Sequence, residues 1–475
     1  MHRALLLAAA SALSLAACTT AGPDFQPPAA PAASGYAMQG DASAEAARLV
    51  PSDQLARQWW TSFNSPKLNA LVDQALAGNP TLQAADAALA RVNELESAER
   101  GGRAPSASLS GSAERERINT AGFGIQGFPS PTINIFSIGP TISYDLDLFG
   151  RQRRAEESAA ARTEAQARRT DAAYLNLTGA VVSRAIELAA LRAQLTDLDA
   201  IITVDNSTLD MIRRGVQAGG SPAAAVNPAE AQLAEDQARR PAVLRRIAAA
   251  RHALALLVGQ APSNWTAPDI DLTELTLPAS VPVSLPSDFV RRRPDILAAE
   301  ADLHAATAAI GVAEAERYPN VKLDANFILT ALHPEDVFQY ESSGWAAGPS
   351  ITAPLFNGGS LRARQRAAEA AAREADATYR QTVLVAFTQV ADLLSNLSTD
   401  QLSIDAQSRA VSVANENARL SSLAYENGAG SLLSVIDAQR QAQRARLGAI
   451  DAQAQLRADM AQLFVATASD WRAAP

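Results

Sequence analysis

Few side chains in this sequence are placed to do chemistry. There is one cysteine, Cys18, and there are four histidines, at positions 2, 252, 304 and 333. The histidines lie far apart along the chain, so spacing shows no His–carboxylate or nucleophile–base set, although folding could assemble one. Asp145 and Asp147 stand two apart on an alternating stretch, which puts both carboxylates on one strand face. Such a pair either binds a metal or faces water, and with no histidine close in sequence the water-facing reading is favoured. No glycine loop of the phosphate-binding kind is present. The expectation is a protein that is not an enzyme and that holds neither a metal nor a soluble cofactor. A lone thiol also excludes an intrachain disulfide.

The context of that thiol is "MHRALLLAAASALSLAAC". His2 and Arg3 form a short positive region, and Ala4 to Leu15 is an apolar stretch too short to span a bilayer as a helix. One reading is a plain secretory signal with a chance cysteine. The favoured reading is that "LAAC" resembles the bacterial lipobox, which implies cleavage before Cys18 and a covalent lipid (palmitate-type acyl chains) on it. Thr19 follows, not the Asp that usually retains lipoproteins in the inner membrane, which favours the outer membrane of a Gram-negative cell. Residues 1–17 are then a signal peptide and 18–56 a lipid-anchored, Pro- and Ala-rich tether suited to a flexible leash. No later segment is expected to be a membrane helix, so a membrane crossing would have to use strands. The formal net charge of -9, without a basic stripe, argues against a nucleic-acid partner.

The remaining chain is written twice. "NPTLQAADAALARV" from Asn79 aligns with "RPDILAAEADLHAA" from Arg293, "GPTI" at Gly139 with "GPSI" at Gly348, and "AGGSPAAAVNPAEAQ" from Ala218 with "NGAGSLLSVIDAQRQ" from Asn427. The order is the same in both halves, which reads as duplication of a whole structural unit. The first repeat covers 57–262, with strands at about 104–117 and 133–149 and long helices at about 151–217 and 223–258. An equatorial linker, 263–290, follows. The second repeat covers 291–475, with strands at about 319–331 and 343–356 and long helices at about 360–427 and 432–468. The fold class is mainly α with a β-barrel segment.

The strands have two different faces. Ala107, Leu109, Gly111 and Ala113 alternate with serines and Glu114, and Val321, Leu323, Ala325 and Phe327 alternate with Lys322, Asp324 and Asn326. This period-two pattern, with a nearly uniform polar face and enough length to cross a bilayer, suits lipid on one side and water on the other. Four strands cannot close a barrel, and lipid tolerates no open edge because each unpaired backbone group costs several kcal/mol. Other copies of the chain must pair the edges. Two copies give the minimum, filled barrel; three give twelve strands and room for a lumen.

The long helices carry seams, at Leu177, Val181, Leu188, Leu191, Leu195, Leu198 and Ile202, and at Val383, Phe387, Val390, Leu394, Leu397 and Ile404. These read as coiled coil. Towards its end the second seam weakens to Ser408, Asn415, Ala418 and Ser422, which marks the more loosely packed, more movable part. Gly150, and Gly358 with Gly359, relieve the backbone where strand turns into helix. Ala218, Gly219, Gly220 and Ser221, and Gly428, Ala429, Gly430 and Ser431, read as the turns of two helical hairpins. Trp59 and Trp60 either stack on a sugar or lipid or, as favoured, pack the N-terminal segment onto the body. "RRRPD" from Arg291 is either a basic patch or, as favoured, a helix start with Pro294 in the first turn and Asp295 at its positive end; Asn79-Pro80 is the same device.

Together, "RQWWTSFNSPKLNALVDQAL" from Arg57, "DLDLFGRQRR" from Asp145, "RRRPDILAAEADLHAATAAIGVAEAERYPNVKL" from Arg291 and "YENGAGSLLSVIDAQR" from Tyr425 resemble the TolC-like outer-membrane factors, in the lipidated efflux branch of the OprM and NodT type. The resemblance covers most of the chain after the leader. It implies a homotrimer with a twelve-stranded barrel, a periplasmic tube of twelve helices and an equatorial collar. It also implies a periplasmic adaptor (membrane fusion) protein and an inner-membrane RND-type pump as partners, with the hairpin tips meeting the adaptor. Some such relatives carry an acidic residue in the second tip turn. The matching place here is Gly430, which leaves Glu426, or Tyr425 continuing the register of the seam, as the candidate aperture residue. The function implied is a passive exit duct for drugs or other small toxic solutes. The alternatives are the duct of a type I peptide or protein export system and a non-conducting lipoprotein scaffold.

Overall fold

The computed structural model describes residues 20–29, 35, 36, 38, 49–51, 58–119, 122, 124, 127, 129–219, 222–278, 281–283 and 289–467. Among the described residues the strands are β1 (Leu49–Pro51), β2 (Ser106–Arg117), β3 (Thr132–Asp145), β4 (Val281–Val283), β5 (Asn320–Ala331) and β6 (Ser343–Thr352). The α-helices are α1 (Pro66–Gly78), α2 (Pro80–Gly101), α3 (Arg151–Gln217), α4 (Val226–Leu257), α5 (Pro294–Ala315), α6 (Ser360–Glu426) and α7 (Leu432–Thr467). α3 and α6 are 67 residues each, free of interior proline as helix continuity requires.

The chain divides into two compact units, and the division cuts across the two repeats. One unit takes residues 1–28, 88–167 and 298–379, the other 29–87, 168–297 and 380–475, so each draws on both halves of the sequence.

The first unit holds a four-stranded antiparallel sheet in the order β2-β3-β5-β6. The register keeps like with like across the sheet: Ile142 pairs with Ala107 and Ala325, and Phe327 with Trp345, while Ser143 pairs with Ser106 and Asp324. β3 ends at Asp145, short of the expected 149, because Asp147 takes a left-handed φ of 45° and the Asp145 carboxylate turns back to accept the Asp147 N–H at 3.0 Å. β6 ends at Thr352, short of 356, two residues before Pro354, which has no N–H to give a ladder.

α5 is 22 residues long, and an 18-residue stretch of it reaches mean hydropathy 1.3, which by length and composition alone would cross a membrane. It is a packed protein helix instead: Ala298, Ala301, Leu303, Ala305 and Ala308 are buried, and His304 pairs with Glu157 of α3 at 2.9 Å. Many of its apolar positions are alanines, small enough for neighbouring backbone to approach. A Cβ on Gly311 would lie 2.6 Å from the Ala21 carbonyl oxygen.

In the second unit a short 3-10 helix, Trp59–Phe63, buries both tryptophans and Phe63. Trp59 is 1% exposed, which sets aside the ligand-stacking reading. The unit's seams differ in depth. On α3 the buried positions run Leu191, Leu198, Ile201, Leu209 and Ile212, close to the hairpin end. On α6 they run Val383, Val390, Leu394, Leu397 and Ser398, and no residue of α6 beyond Ser398 is buried. The start of α5 follows the expected device, with the Asp295 carboxylate accepting the Ile296 N–H at 2.9 Å and Arg293 Nε at 2.8 Å. At α2, Asn79 Oδ1 accepts the Thr81 N–H at 2.7 Å.

The tether is not a free leash in its described parts. Ala21 donates to the Phe149 carbonyl at 3.0 Å, Phe25 stacks on His304, and β1 pairs in parallel with β4 of the linker.

Candidate functional site

Three places carry the functional expectations: the two faces of the sheet, the strand-to-helix junction and the hairpin tips.

The sheet exposes its apolar face instead of packing it. Leu109 is 71% exposed, Trp345 79% and Ile351 71%, with Ile142, Leu323 and Phe327 also open. The opposite face is a hydrogen-bonded polar row. Ser143 and Ser350 both donate to the Asp324 carboxylate at 2.7 Å, and the Ser112 and Ser137 hydroxyls lie 2.8 Å apart. Among the described residues, β2 and β6 each have a partner on one side only. In water alone an uncovered apolar face of this size would be an aggregation hazard; against hydrocarbon it is the stable arrangement.

At the junction the structure corrects the reading of the aspartate pair. Asp147 does not simply face water. Its carboxylate accepts the Gln152 N–H at 2.9 Å and the Arg153 N–H at 3.0 Å, so it caps α3. Asp145 holds Asn320 of β5 at 3.1 Å and lies 3.7 Å from Arg151. Among the described residues no group of His, Cys, Asp and Glu has the makings of a metal site. Gly150 has φ 75°, and a Cβ there would also meet the Thr20 side chain at 2.7 Å. Gly358 and Gly359 have φ 62° and 84°, with the Asn357 side chain accepting the Gly359 N–H at 3.2 Å. Arg154, 5% exposed at its side chain, clamps the segment after Cys18: it donates to the Ala21 carbonyl at 3.1 Å, the Gly22 carbonyl at 3.3 Å and Asp24 at 2.6 Å. Cys18 itself lies outside the described residues.

At the first tip Ala218 and Gly219 close α3, with Gly219 at φ 74°; Gly220 and Ser221 lie outside the described residues. At the second, Gly428 has φ 72°, and Ala429 donates back to the Ala424 carbonyl at 2.8 Å in a C-terminal helix cap. Gly430 sits tight under α6, where a Cβ would lie 3.0 Å from the Tyr425 nitrogen and 3.1 Å from the Ala424 Cβ. Ser431 caps α7 by accepting the Ser434 N–H at 3.1 Å. Tyr425 is half-buried and Glu426, the last residue of α6, is exposed.

Sequence reasoning missed the cap role of Asp147, the docking of residues 20–25 and two acid pairs, one buried and one partly buried. Asp205 of α3 is 5% exposed and Asp236 of α4 is 0% exposed. Burial, with the charge of Asp236, pushes Asp205 up to about 7. Burial and Asp459 push Asp400 up to about 6. The signal was present for Asp205, which falls at seam spacing between Ile201 and Leu209.

A sheet that offers its apolar face outward, together with paired long helices reversed at glycine turns, defines the TolC-like class of channel proteins. The chain belongs to the outer membrane efflux protein family, whose model matches residues 71–260 and 285–469. It is 32% identical over 476 residues to Nodulation protein T of Rhizobium leguminosarum bv. viciae, covering 98% of this chain and 93% of that one. It is 31% identical over 428 residues to the solvent efflux pump outer membrane protein SrpC of Pseudomonas putida, covering 88% of each. Among solved structures the outer-membrane channel OprN matches at TM-score 0.86 and 28% identity, over 95% of this chain and 99% of that one. The protein is an outer-membrane efflux channel with a TolC-like fold, as the sequence resemblance implied.

Proposed function

We propose that three copies of this chain close one twelve-stranded barrel that serves as the passive exit of a tripartite efflux pump for small amphiphilic or toxic solutes. The observation that carries this reading is the sheet itself: four strands with two open edges and an uncovered apolar face. Lipid forbids such edges, and a neighbouring copy supplies the complementary edge, β2 against β6. Three copies leave a lumen lined by the Ser–Asp–Asn face; a scaffold without a pore would have no use for two chemically different faces. Driving energy comes from an inner-membrane RND-type pump through a periplasmic adaptor, which meets the small-residue tips at 218–221 and 428–431.

The anchor reading has support at the junction. Cys18 is two residues before Thr20, and a chain spans at most about 3.6 Å per residue. Acyl chains on Cys18 are therefore delivered beside the foot of the sheet, where Arg154 and Gly150 hold residues 20–24. Single-channel recording of the purified protein in planar bilayers tests the duct. Discrete conductance steps from the assembled protein are expected; a correctly assembled protein that never conducts, with adaptor or without, contradicts it.

A further inference from the structure

We propose that Asp205 and Asp236 share one proton, and that this proton locks α3 to α4 beside the hairpin end, so that its loss frees the hairpin to open. The geometry comes first. Asp236 has full use of its oxygens: Gln232 donates to Oδ2, and Gln443 of α7 donates to Oδ1 at 3.0 Å. Asp205 Oδ2 and Gln232 Oε1, by contrast, are buried acceptors with no hydrogen-bond partner. A buried acceptor without a donor is costly, and Asp205 lies close enough to Asp236 for one carboxyl to donate to the other, so the two do not readily both stay ionised. A proton on Asp205 relieves the like-charge repulsion and gives the pair a hydrogen bond, because the carboxyl then donates to Asp236.

The cations around the pair do not substitute for that proton. Arg239 of α4 lies 3.3 Å from Asp236 but is also held by Glu235. Arg440 of α7 pairs with Glu235 at 2.7 Å, Arg446 with Asp197 at 2.6 Å, and Arg419 of α6 with Glu416 at 2.8 Å. No arginine among these is in hydrogen-bond contact with Asp205. The raised titration of Asp205, to about 7, has the same sense as this geometry, with burial as its first cause and Asp236 as its second.

The surroundings give the lock something to release. Towards the tip lies a small apolar cluster of Leu209, Ile212 and Ala229, with Leu432 packed against it. On the other side is a cavity of about 240 Å³ whose wall on α6 is Asn415, Ala418 and Ser422, the small residues of the weakened seam. Asp205 itself lines that cavity, so its ionised carboxylate turns to water there as α3 and α4 part. A second acid pair, Asp400 of α6 with the buried Asp459 of α7, lies farther from its own turn and also has an unpartnered oxygen, Asp400 Oδ2.

Amide hydrogen exchange on the full-length assembled protein tests the lock without reference to conduction. After correction for intrinsic rates, opening of residues 201–212 and 229–240 should rise about tenfold per pH unit from pH 5 towards pH 7 and level off above, as the loss of one proton demands. Asp205→Asn keeps a donor that never ionises, and should abolish the slope and hold the protected level at pH 8. Asp236→Asn removes the like charge but leaves Asp205 buried, and should make the rise level off at a lower pH. A flat wild-type profile, an unchanged profile in either variant, or protection at pH 8 restored by added sodium or calcium ions would overturn the proposal.

Discussion

Trp59 stacks on Phe464, ring centroids 5.7 Å apart and planes 23° apart, and so ties the segment before α1 to the last turns of α7. The two residues are four hundred positions apart in sequence, and both are buried. Trp59→Ala should cost about 3–5 kcal/mol, the usual penalty for emptying a large aromatic site. Trp59→Phe should cost clearly less, because the indole N–H is buried without an acceptor and its loss breaks no hydrogen bond. Denaturant or thermal unfolding of the detergent-solubilised variants reads the difference, and equal losses would contradict the packing role.

Asp147 makes a second prediction. Asp147→Ala removes the acceptor for the Gln152 and Arg153 N–H groups and should cost about 0.5–2 kcal/mol. Asp147→Asn keeps an acceptor and should recover most of that. A metal-site role would show the reverse signature, with stability of the wild type falling on addition of a chelator.

The two faces of β5 give opposite results for the same substitution. Leu323→Arg puts a cation on the face read as lipid-facing and should cost up to about 2–4 kcal/mol, seen as lost membrane assembly. Asn326→Arg, on the polar row, should assemble normally and change conductance and ion selectivity. Equal tolerance at both positions would mean that the faces see the same solvent.

Asp400 makes the stability of the protein depend on pH. Its carboxyl holds a proton up to about pH 6 in the folded protein, against roughly 4 in an unfolded chain. The native state therefore binds the extra proton within that window. Stability is fully present below it, falls as pH rises from about 4 to about 6, and stays level above. Asp400→Asn should raise the melting temperature at pH 7.5 and leave it little changed at pH 4. A variant less stable than wild type at pH 7.5 would contradict the like-charge account.

Sequence patterns revealed the elements because their signals are local. Proline-free runs carry α3 and α6, and alternation carries β2, β3 and β5. The positive φ at Gly150, Gly358, Gly359, Gly219 and Gly428 was foreshadowed by residue type alone. Contacts between distant segments were not legible. Nothing near Asp147 announces that it will cap α3, since that depends on the strand ending two residues earlier. Residues 20–25 read as a tether because the partners of Ala21 and Phe25 lie at Phe149 and His304. α5 was not expected to look membrane-like because its apolarity is spread over alanines broken by Asp295, Glu300 and Asp302. The compact units were hidden for the same reason, since each is assembled from both repeats.

In the proposed trimer the open edges of β2 and β6 meet between copies, and disulfide scanning probes that meeting: in a Cys18→Ser background, one cysteine is placed along β2 and one along β6, and membranes are oxidised. Some pairings should give a ladder on denaturing gels that ends at three chains and collapses on reduction. No crosslink at any register, or a ladder ending at two or running past three, would contradict it.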